Sequence, residues 1–372
     1  MKRSISIMPA LIFFPSQRND TTQQLFTEDP LQEPKLFQSR IKPGPFLSTG
    51  HKSIYNGSLK RSFERIFTLT TNPMKSQKIY PLAFSFECFP ARSEAGKDKL
   101  LETCNALAAV NPCFLSVTDG AGGTMRERTV TTVNEVKTAT TTVCPQGIEV
   151  APHIACIGAS RDEIRALLDH YRSLDMRHII ALRGDIPSDL RDCGDFSYAS
   201  ELVEFIRDES GDYFFIEVAA YPETHPQAKD AASDIQNFKQ KVDSGADAAL
   251  TQYFYNPDAY FRFVDDCEKA GLDLPIIPGV MPITNYRQLA RFSDRCGAEI
   301  PRWISERLAG YGDDNSSIRA FGEEVVTDLC EQLLKGGAAG LHFYTMNQAA
   351  PTLAIWHNLA LSSDKTSRAR RY

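Results

Sequence analysis

The chain has 372 residues, of which 42% are hydrophobic, and a formal net charge of −6. This length accommodates two domains, or one α/β barrel of about 250 residues with extensions. No basic stripe indicates nucleic-acid binding, and no run of 18 apolar residues indicates a membrane span. The nine scattered cysteines include no C-x-x-C pair, which is typical of reduced thiols in a cytoplasmic protein.

The N-terminal segment differs in composition from the rest of the chain. Residues 1–73 are rich in Ser, Thr, Gln, Asn and Pro, and their hydrophobic periodicity is weak. The opening stretch MKRSISIMPALIFFP resembles a signal peptide, but no small-x-small cleavage site follows closely. Two interpretations stay open: residues 1–73 are a poorly ordered N-terminal extension, or they are translated sequence upstream of a start at Met74. We expect a folded domain over 74–362 and a frayed polar tail over 363–372.

From residue 80, short apolar β-branched runs alternate with longer amphipathic stretches. Eight strands are predicted, over residues 82–88, 113–118, 148–156, 178–183, 214–220, 247–253, 274–280 and 340–345. Helices are predicted over residues 96–110, 160–174, 201–209, 227–244, 257–270, 284–296, 301–310, 316–335 and 348–361. This alternation is typical of a closed parallel sheet ringed by helices, so the predicted fold is α/β, a (β/α)8 TIM barrel.

Polar side chains gather where the predicted strands end, which is the end at which such barrels carry their chemistry. The stretch FSFECFP, residues 84–90, places Glu87 at the end of an otherwise apolar first strand. An unpaired buried carboxylate is costly, so Glu87 has either a partner or a chemical role. Other polar residues at strand ends are Thr118, Asp119, His153, Arg183, Asp185, Tyr221, Glu223, His225, Gln252 and Tyr344. Their clustering at one rim indicates a single active site.

Several of these residues also have structural interpretations. Arg183 and Asp185 could form a simple ion pair, and His153 could be a core histidine bonded to a carbonyl. The GAGG stretch at 120–123 is a turn that does not match the G-x-G-x-x-G dinucleotide fingerprint. His153, Glu223 and His225 could be imagined as metal ligands, but no helix spacing supports such a site and we expect no metal.

Eight stretches follow one another in a specific order: SFECFPAR, LSVTDGAGG, APHIACIG, HIIALRGD, AAYPETHPQA, LTQYFYN, IIPGVMPITN and LHFYTMN. Together they resemble the 5,10-methylenetetrahydrofolate reductase family of bacterial type, over about residues 82–359. The resemblance implies a barrel with non-covalent FAD, which accepts hydride from NADH or NADPH. In ping-pong fashion the flavin then reduces methylenetetrahydrofolate to 5-methyltetrahydrofolate for methionine synthesis. It also implies a homo-oligomer, and we expect no regulatory domain of the S-adenosylmethionine-binding type after the barrel.

The resemblance also assigns residue roles. Glu87 matches the general acid, which would protonate N10 of the folate so that the methylene bridge opens to an iminium, and an apolar pocket would keep that acid protonated. Asp185 matches a second catalytic residue, beside the flavin pyrimidine edge and the incoming folate. Flavin contacts are implied for Thr118, Asp119, Gly120, Ala121, His153, Arg183, Gly184, Asp185, Tyr198, Ala199, Tyr221, His225, Asp234, Asn237 and Lys241. Substrate contacts are implied for Glu87, Asp185, Gln252, Gln288, Tyr344 and Gln348.

The sequence departs from the family pattern at a few positions. Asp119 replaces an aromatic residue found in some members, and Gln240 stands where a basic residue often assists the diphosphate. Gln348 stands where some members have an arginine that grips the glutamyl carboxylate of the folate. A neutral amide would hold that tail less strongly.

Two other functions remain as alternatives. A proline-dehydrogenase-like FAD barrel would need a pair of arginines for a carboxylate substrate. A non-catalytic flavin- or folate-binding barrel would not need Glu87, Asp185 and Gln252 as a set.

Overall fold

The computed structural model describes residues 76–119, 123–145, 147–185 and 194–361. The expected N-terminal extension and polar tail lie outside these residues, as do two of the predicted flavin contacts, Gly120 and Ala121. The other predicted site residues all lie within them.

Strands and helices alternate along the described chain. The strands are β1 (Ala83–Cys88), β2 (Phe114–Val117), β3 (Glu149–Ala155), β4 (His178–Leu182), β5 (Phe215–Ala220), β6 (Ala248–Thr251), β7 (Ile276–Ile277), β8 (Gly279–Val280) and β9 (Gly340–Tyr344). The helices are α1 (Glu94–Ala108), α2 (Gly123–Thr140), α3 (Arg161–Ser173), α4 (Ala199–Ser210), α5 (Ala231–Asp243), α6 (Pro257–Lys269), α7 (Tyr286–Cys296), α8 (Arg302–Gly310), α9 (Asn315–Gly336) and α10 (Ala349–Asn358). Each predicted strand and helix is confirmed, with boundaries shifted by a few residues.

The nine strands form a nearly closed parallel barrel in the order β7-β6-β5-β4-β3-β2-β1-β9-β8. The short strands β7 and β8 occupy one strand position, the predicted seventh strand, on either side of Pro278. β7 pairs with β6, whereas β8 pairs with β9. Proline has no N–H to donate to a ladder, but the Pro278 carbonyl accepts a 3.0 Å hydrogen bond from the His342 N–H. The barrel therefore has eight strand positions, and the predicted TIM barrel is confirmed.

Helix α2 is the one long element of the described chain that the sequence pattern did not predict. Six of its 18 residues are threonines, and β-branched residues have low helix propensity. The hydroxyls of Thr131, Thr138 and Thr140 bond the carbonyls four residues earlier, at 2.8–2.9 Å. Val133 and Val136 are fully buried in the core. Packing of this apolar stripe therefore stabilises a helix that propensity alone disfavours.

The side chains of β1 alternate between the helical layer and the barrel interior. Phe84 and Phe86 face outward, because their rings lie 5.3 and 5.8 Å from the Trp356 ring of α10. By the period of two along a strand, Ser85 and Glu87 face inward. The outward phenylalanines anchor β1 against α10, and the inward positions are left for polar groups.

A short 3-10 helix, Gln77–Ile79, lies at the N-terminal end of the seventh strand position. The buried Gln77 side chain donates to the Leu274 carbonyl at 3.2 Å and accepts from the Ile276 N–H at 2.8 Å. These two bonds satisfy backbone groups at the start of the interrupted seventh strand position, so that end of the barrel is occupied by structure.

Composition predicted no membrane span and reduced cysteines, and the described residues bear on both predictions. Each helix there is too short or too polar to cross a bilayer. Eight cysteines within the described ranges are free thiols, and the ninth, Cys193, lies outside them.

Candidate active site

Glu87 is the last inward-facing residue of β1 and is only 5% exposed. Its Oε2 lies 3.5 Å from His153 Nε2 and 3.8 Å from His342 Nε2, and has no hydrogen-bond partner among the described residues. Burial raises the pKa of Glu87 well above its ordinary value, with a smaller contribution from Cys88. Glu87 is therefore a carboxylic acid that keeps its proton to a higher pH than an exposed glutamate does.

Beneath Glu87 the barrel interior holds a layer of buried polar side chains. His342 Nδ1 lies 2.7 Å from Ser85 Oγ, and His178 Nε2 lies 3.6 Å from Glu217 Oε1. Burial lowers the pKa of His153 to about 3 and holds that of His342 well below its usual range, so both imidazoles are neutral. His153 and His342 therefore present dipoles and no positive charge to Glu87.

Sequence reasoning missed three members of this layer: His178, Glu217 and His342. Each interrupts an apolar strand in HIIALR, FFIEVAA or GLHFYT. TIM-barrel interiors are dominated by branched aliphatic side chains, so a polar residue within such a run was a usable signal.

Asp185 and Gln252 stand at the ends of two other strand positions. Asp185 follows β4, is 7% exposed, and has no hydrogen-bond partner for Oδ1 among the described residues. Burial raises the pKa of Asp185 to about 6, partly offset by the charge of Arg183. Gln252 follows β6; its Oε1 accepts from the Tyr253 N–H at 3.0 Å, but its buried Nε2 has no partner in the described chain.

Glu87, Asp185 and Gln252 thus share one property. Each presents a buried polar atom that the described protein leaves unpaired: Glu87 Oε2, Asp185 Oδ1 and Gln252 Nε2. The large majority of buried side-chain polar atoms in folded proteins have a partner. Three exceptions at the C-terminal rim of one barrel indicate a site whose bound molecule supplies the partners.

The turn after β4 sets the position of Asp185. Gly184 has φ +84°, and a Cβ there would lie 2.9 Å from the Cβ of Ala155 on β3. Only glycine adopts this conformation at such a close approach without strain. The preceding Arg183 directs its guanidinium to Gln227 Oε1, at 2.7 Å, on the loop after β5.

The loop after β5 and helix α5 bring His225, Asp234 and Lys241 together on one side of the rim, near Arg183. The His225 N–H donates to Asp234 Oδ2 at 2.7 Å, and the His225 ring contacts Tyr221 at 4.5 Å. Lys241 donates to the Ala219 carbonyl, and burial lowers the pKa of Lys241 to about 8. Burial, with the charges of Arg183 and Lys241, lowers the pKa of His225 to about 4. Arg183 and Lys241 are the cations of this group, and Asp234 is its one carboxylate, so the group could bind an anionic ligand through its two cations.

Some predicted contacts have partners inside the protein. The buried Asp119 carboxylate accepts from the Ala155 N–H at 3.2 Å and from Thr129 Oγ1 at 3.1 Å. Thr129 also donates to the Thr118 carbonyl at 3.1 Å. The Tyr344 hydroxyl donates to the Thr251 carbonyl at 2.7 Å. These bonds shape the rim, and the ligand roles of Thr118, Asp119 and Tyr344 stay predictions.

The remaining predicted residues lie on or immediately before helices. Tyr198, 62% exposed, and Ala199 begin α4, while Asn237 lies on α5. Gln288 lies in the first turn of α7, and Gln348 immediately precedes α10. Gln348 lines a cavity of about 510 Å³ beside α1, α9 and α10.

The sequence model of the family described as methylenetetrahydrofolate reductase matches residues 74–360. The chain belongs to this family. A relative from Escherichia coli (strain K12), named 5,10-methylenetetrahydrofolate reductase, is 39% identical over 277 residues, which cover 74% of this chain and 90% of the relative. A relative from Oryza sativa subsp. japonica, named probable methylenetetrahydrofolate reductase (NADH), is 36% identical over 300 residues, covering 77% of this chain and 50% of that protein.

Membership of the methylenetetrahydrofolate reductase family confirms the resemblance drawn from the eight ordered stretches. It also confirms that the chain is an oxidoreductase, and it favours that interpretation over a proline-dehydrogenase-like barrel. A solved structure of an uncharacterized Clostridium thermocellum protein, which binds two copies of 5-methyl-5,6,7,8-tetrahydrofolic acid, aligns with a TM-score of 0.55. The alignment covers 78% of this chain and 96% of that one at 17% identity, which shows a shared fold alone.

Proposed function

We propose that this protein reduces 5,10-methylenetetrahydrofolate to 5-methyltetrahydrofolate with electrons from a reduced nicotinamide, through bound FAD. The observation that carries the proposal is the set of three unpaired buried atoms, Glu87 Oε2, Asp185 Oδ1 and Gln252 Nε2, at one rim of a barrel of this family. Such a reduction needs a proton for the folate, a negative charge near a cationic intermediate and a group that orients the substrates. Glu87 offers the proton, Asp185 the negative charge and Gln252 an amide donor.

The described residues fit FAD. Arg183 and Lys241 would hold the diphosphate, since both are cations on the same side of the rim and both act on His225. Gly184 lets the turn after β4 pack closely against Ala155, and Asp185 follows it directly. When bound, FAD supplies the acceptor and then the donor of a hydride.

Glu87 would act as the general acid. The methylene bridge of the substrate opens only when its N10 is protonated, and N10 is a poor base. A carboxyl that burial keeps protonated, with neutral histidines below it, holds that proton at the mouth of the barrel. General acid catalysis of this kind contributes about 10²–10⁴ in rate.

Asp185 and Gln252 would orient and stabilise the substrates. With a pKa of about 6, Asp185 is mostly ionised at neutral pH, and its negative charge favours the cationic iminium. The free Nε2–H of Gln252 is a donor for a pterin or nicotinamide carbonyl or ring nitrogen. Both groups are buried, so the site strengthens each interaction relative to water.

The choice of nicotinamide rests on the names of two relatives. Two plant relatives, from rice and Arabidopsis thaliana, carry NADH in their names, which supports NADH over NADPH. Ping-pong exchange of nicotinamide for folate, a role in methionine synthesis, a cytoplasmic location and a homo-oligomeric state are proposed from the family resemblance.

The absorption spectrum of the purified protein tests the proposal. We expect the bands of oxidised flavin, their bleaching by NADH without oxygen, and their return when methylenetetrahydrofolate is added. A preparation that takes up no FAD would overturn the proposal. Flavin that NADH reduces but the folate does not reoxidise would favour the non-catalytic or other-oxidoreductase alternatives.

A further inference from the structure

Two buried thiols lie side by side next to Glu87. Cys88 ends β1 directly after Glu87, and Cys104 lies on α1, which packs against that strand. The two sulfur atoms are 3.6 Å apart, and the side chains of Cys88 and Cys104 are 1% and 0% exposed. A disulfide bond is about 2 Å long, so an approach of about 1.5 Å would join the two sulfur atoms. The pair is therefore placed to link β1 covalently to α1.

A chain of hydrogen bonds connects the two thiols to the backbone of Glu87. The Cys104 thiol donates to Cys88 Sγ. Cys88 Sγ lies 3.9 Å from Thr345 Oγ1, whose own proton goes to the Glu87 carbonyl at 2.7 Å, so the Cys88 thiol is the donor to Thr345. Each thiol therefore uses its proton in a chain that ends at the peptide bond between Glu87 and Cys88.

This chain gives the two sulfur atoms different chemistry. The hydrogen bond to Cys88, followed by burial, raises the pKa of Cys104 well above its ordinary value, so Cys104 keeps its proton. A thiol proton directed at the Cys88 sulfur stabilises negative charge there, because a donor favours the charged form of the group that accepts from it. Cys88 is therefore the better nucleophile, and Cys104 is placed to attack the oxidised form of Cys88.

A cavity beside α1 brings solvent close to the pair. The cavity has a volume of about 510 Å³, and its lining includes Thr103, which precedes Cys104 in the chain, and Asn347. Thr103 Oγ1 donates to the Asn347 carbonyl at 3.4 Å, and the Asn347 side chain bonds the backbone of Phe89, which follows Cys88. The cavity therefore borders the residue next to Cys104 and admits hydrogen peroxide, which is small and uncharged.

We propose that hydrogen peroxide converts Cys88 and Cys104 into a disulfide that stops the proposed reduction of the folate. The Cys88 thiolate attacks one peroxide oxygen, the O–O bond breaks, and the departing hydroxide takes up a proton as water, leaving a sulfenic acid. The Cys104 sulfur then attacks the sulfenic sulfur, and the S–O bond breaks as a second water leaves with the Cys104 proton. Two thiols and one peroxide give one disulfide and two waters, and two electrons pass from sulfur to oxygen.

The disulfide acts on Glu87 through the backbone. It removes both thiol protons from the hydrogen-bond chain and draws Cys88 toward α1, so the contact with Thr345 is lost and Glu87 moves with the end of the strand. A displacement of about 1 Å at a reacting group costs about 100-fold in rate. The effect on the folate rests on the proposed function, whereas formation of the disulfide does not.

A peptide map shows whether the disulfide forms. Trypsin cuts between the two thiols and leaves them in separate peptides, residues 79–92 and 100–126. After the full-length protein is treated with hydrogen peroxide and its free thiols are blocked, we expect these peptides to be joined and lighter by two hydrogen atoms. The second peptide also contains Cys113, so Cys104→Ala should abolish the joined species. Separate peptides, oxidation of Cys88 alone, or joined peptides in Cys104→Ala would overturn the inference.

Rapid mixing, after catalase has removed the peroxide, measures the effect on the reaction. We expect folate-driven reoxidation of the reduced flavin to fall at least about 10-fold in the oxidised protein and to recover with dithiothreitol. Reduction of the flavin by NADH should stay close to the wild-type rate. Cys104→Ala should resist peroxide, whereas the control Cys330→Ala, which removes a buried thiol on α9, should stay sensitive.

Two further outcomes separate this inference from the proposed function. A disulfide that forms but leaves the reoxidation rate unchanged would overturn its effect on Glu87. If the protein binds no flavin, the proposed function fails, while the peptide map still decides whether Cys88 and Cys104 form the disulfide.

Discussion

Nε2 of His153 lies 3.5 Å from Oε2 of Glu87, yet burial disfavours the charged form of both groups. Burial pushes the two pKa values in opposite directions, that of the acid up and that of the base down. The contact therefore joins a neutral imidazole to a carboxyl that keeps its proton to a higher pH than an exposed glutamate does, and it differs from a salt bridge between two charged groups.

The raised pKa of Glu87 predicts a pH-dependent stability. In the unfolded chain this glutamate ionises near its ordinary value of 4.5, and in the folded chain it ionises at higher pH. The folded state therefore binds the extra proton between the two values, and its stability falls as pH rises through that window, by about 1.4 kcal/mol per unit. Glu87→Gln should remove this slope from urea unfolding measured between about pH 5 and 8. Glu324→Gln, at an exposed position, should retain it.

Asp185 should set the potential of the bound flavin. A carboxylate next to the ring disfavours the anionic reduced form, so Asp185→Asn should make the potential more positive. Because the pKa of Asp185 is about 6, the difference from the wild type should be largest above that pH and shrink below it. Spectroelectrochemical titration on both sides of the pKa measures this. Equal potentials at high pH would mean that Asp185 does not lie near the ring.

Gly184→Ala should damage the site by two separable effects. The φ of +84° strains any residue with a Cβ, and the new Cβ would meet Ala155 at 2.9 Å. Gly271→Ala is the matched control, since its φ is +75° but no atom lies within 4 Å of the added Cβ. We expect about 1 kcal/mol of destabilisation in the control and about 2–4 kcal/mol at Gly184, with loss of FAD. Thermal unfolding and flavin content measure both; equal losses would rule out the contact with Ala155.

Lys241 should contribute to FAD affinity through its charge. Lys241→Met keeps the apolar length of the side chain and removes the cation, so the Kd for FAD should rise at least about 10-fold. Lys239→Met is the control on the same helix, because Lys239 pairs with Asp243 at 3.0 Å on the surface. Fluorescence titration with FAD compares them. A Kd that stays unchanged in Lys241→Met would remove Lys241 from the diphosphate site.

The sequence was informative about the strands because each is a short apolar run with a polar residue at its C-terminal end. Glu87, Asp185 and Gln252 could be predicted as one site for that reason, since parallel strands bring those ends to one rim. The division of the seventh strand position at Pro278 could not be predicted in detail, because its two halves pair with different neighbours. Helix α2 was missed because packing of Val133 and Val136 outweighs the low helix propensity of its threonines.

The polar interior was harder to foresee. His342 and Glu217 lie far apart in sequence, and only closure of the barrel brings them into the same interior as Glu87. The hydrogen bond between Ser85 and His342 depends on the register between β1 and β9, which no local pattern reports. Similarly, the partners of Asp119 lie on α2 and β3, so the sequence could not show that its carboxylate is already satisfied.

The central claim is that Glu87 supplies a proton to the folate and takes no part in hydride transfer from NADH. Rapid-mixing absorbance of the flavin in Glu87→Gln measures the two half-reactions separately. The account predicts flavin reduction by NADH at close to the wild-type rate, and reoxidation by methylenetetrahydrofolate slowed by about 10²–10⁴. Equal slowing of both half-reactions, or a wild-type rate of reoxidation, would contradict it.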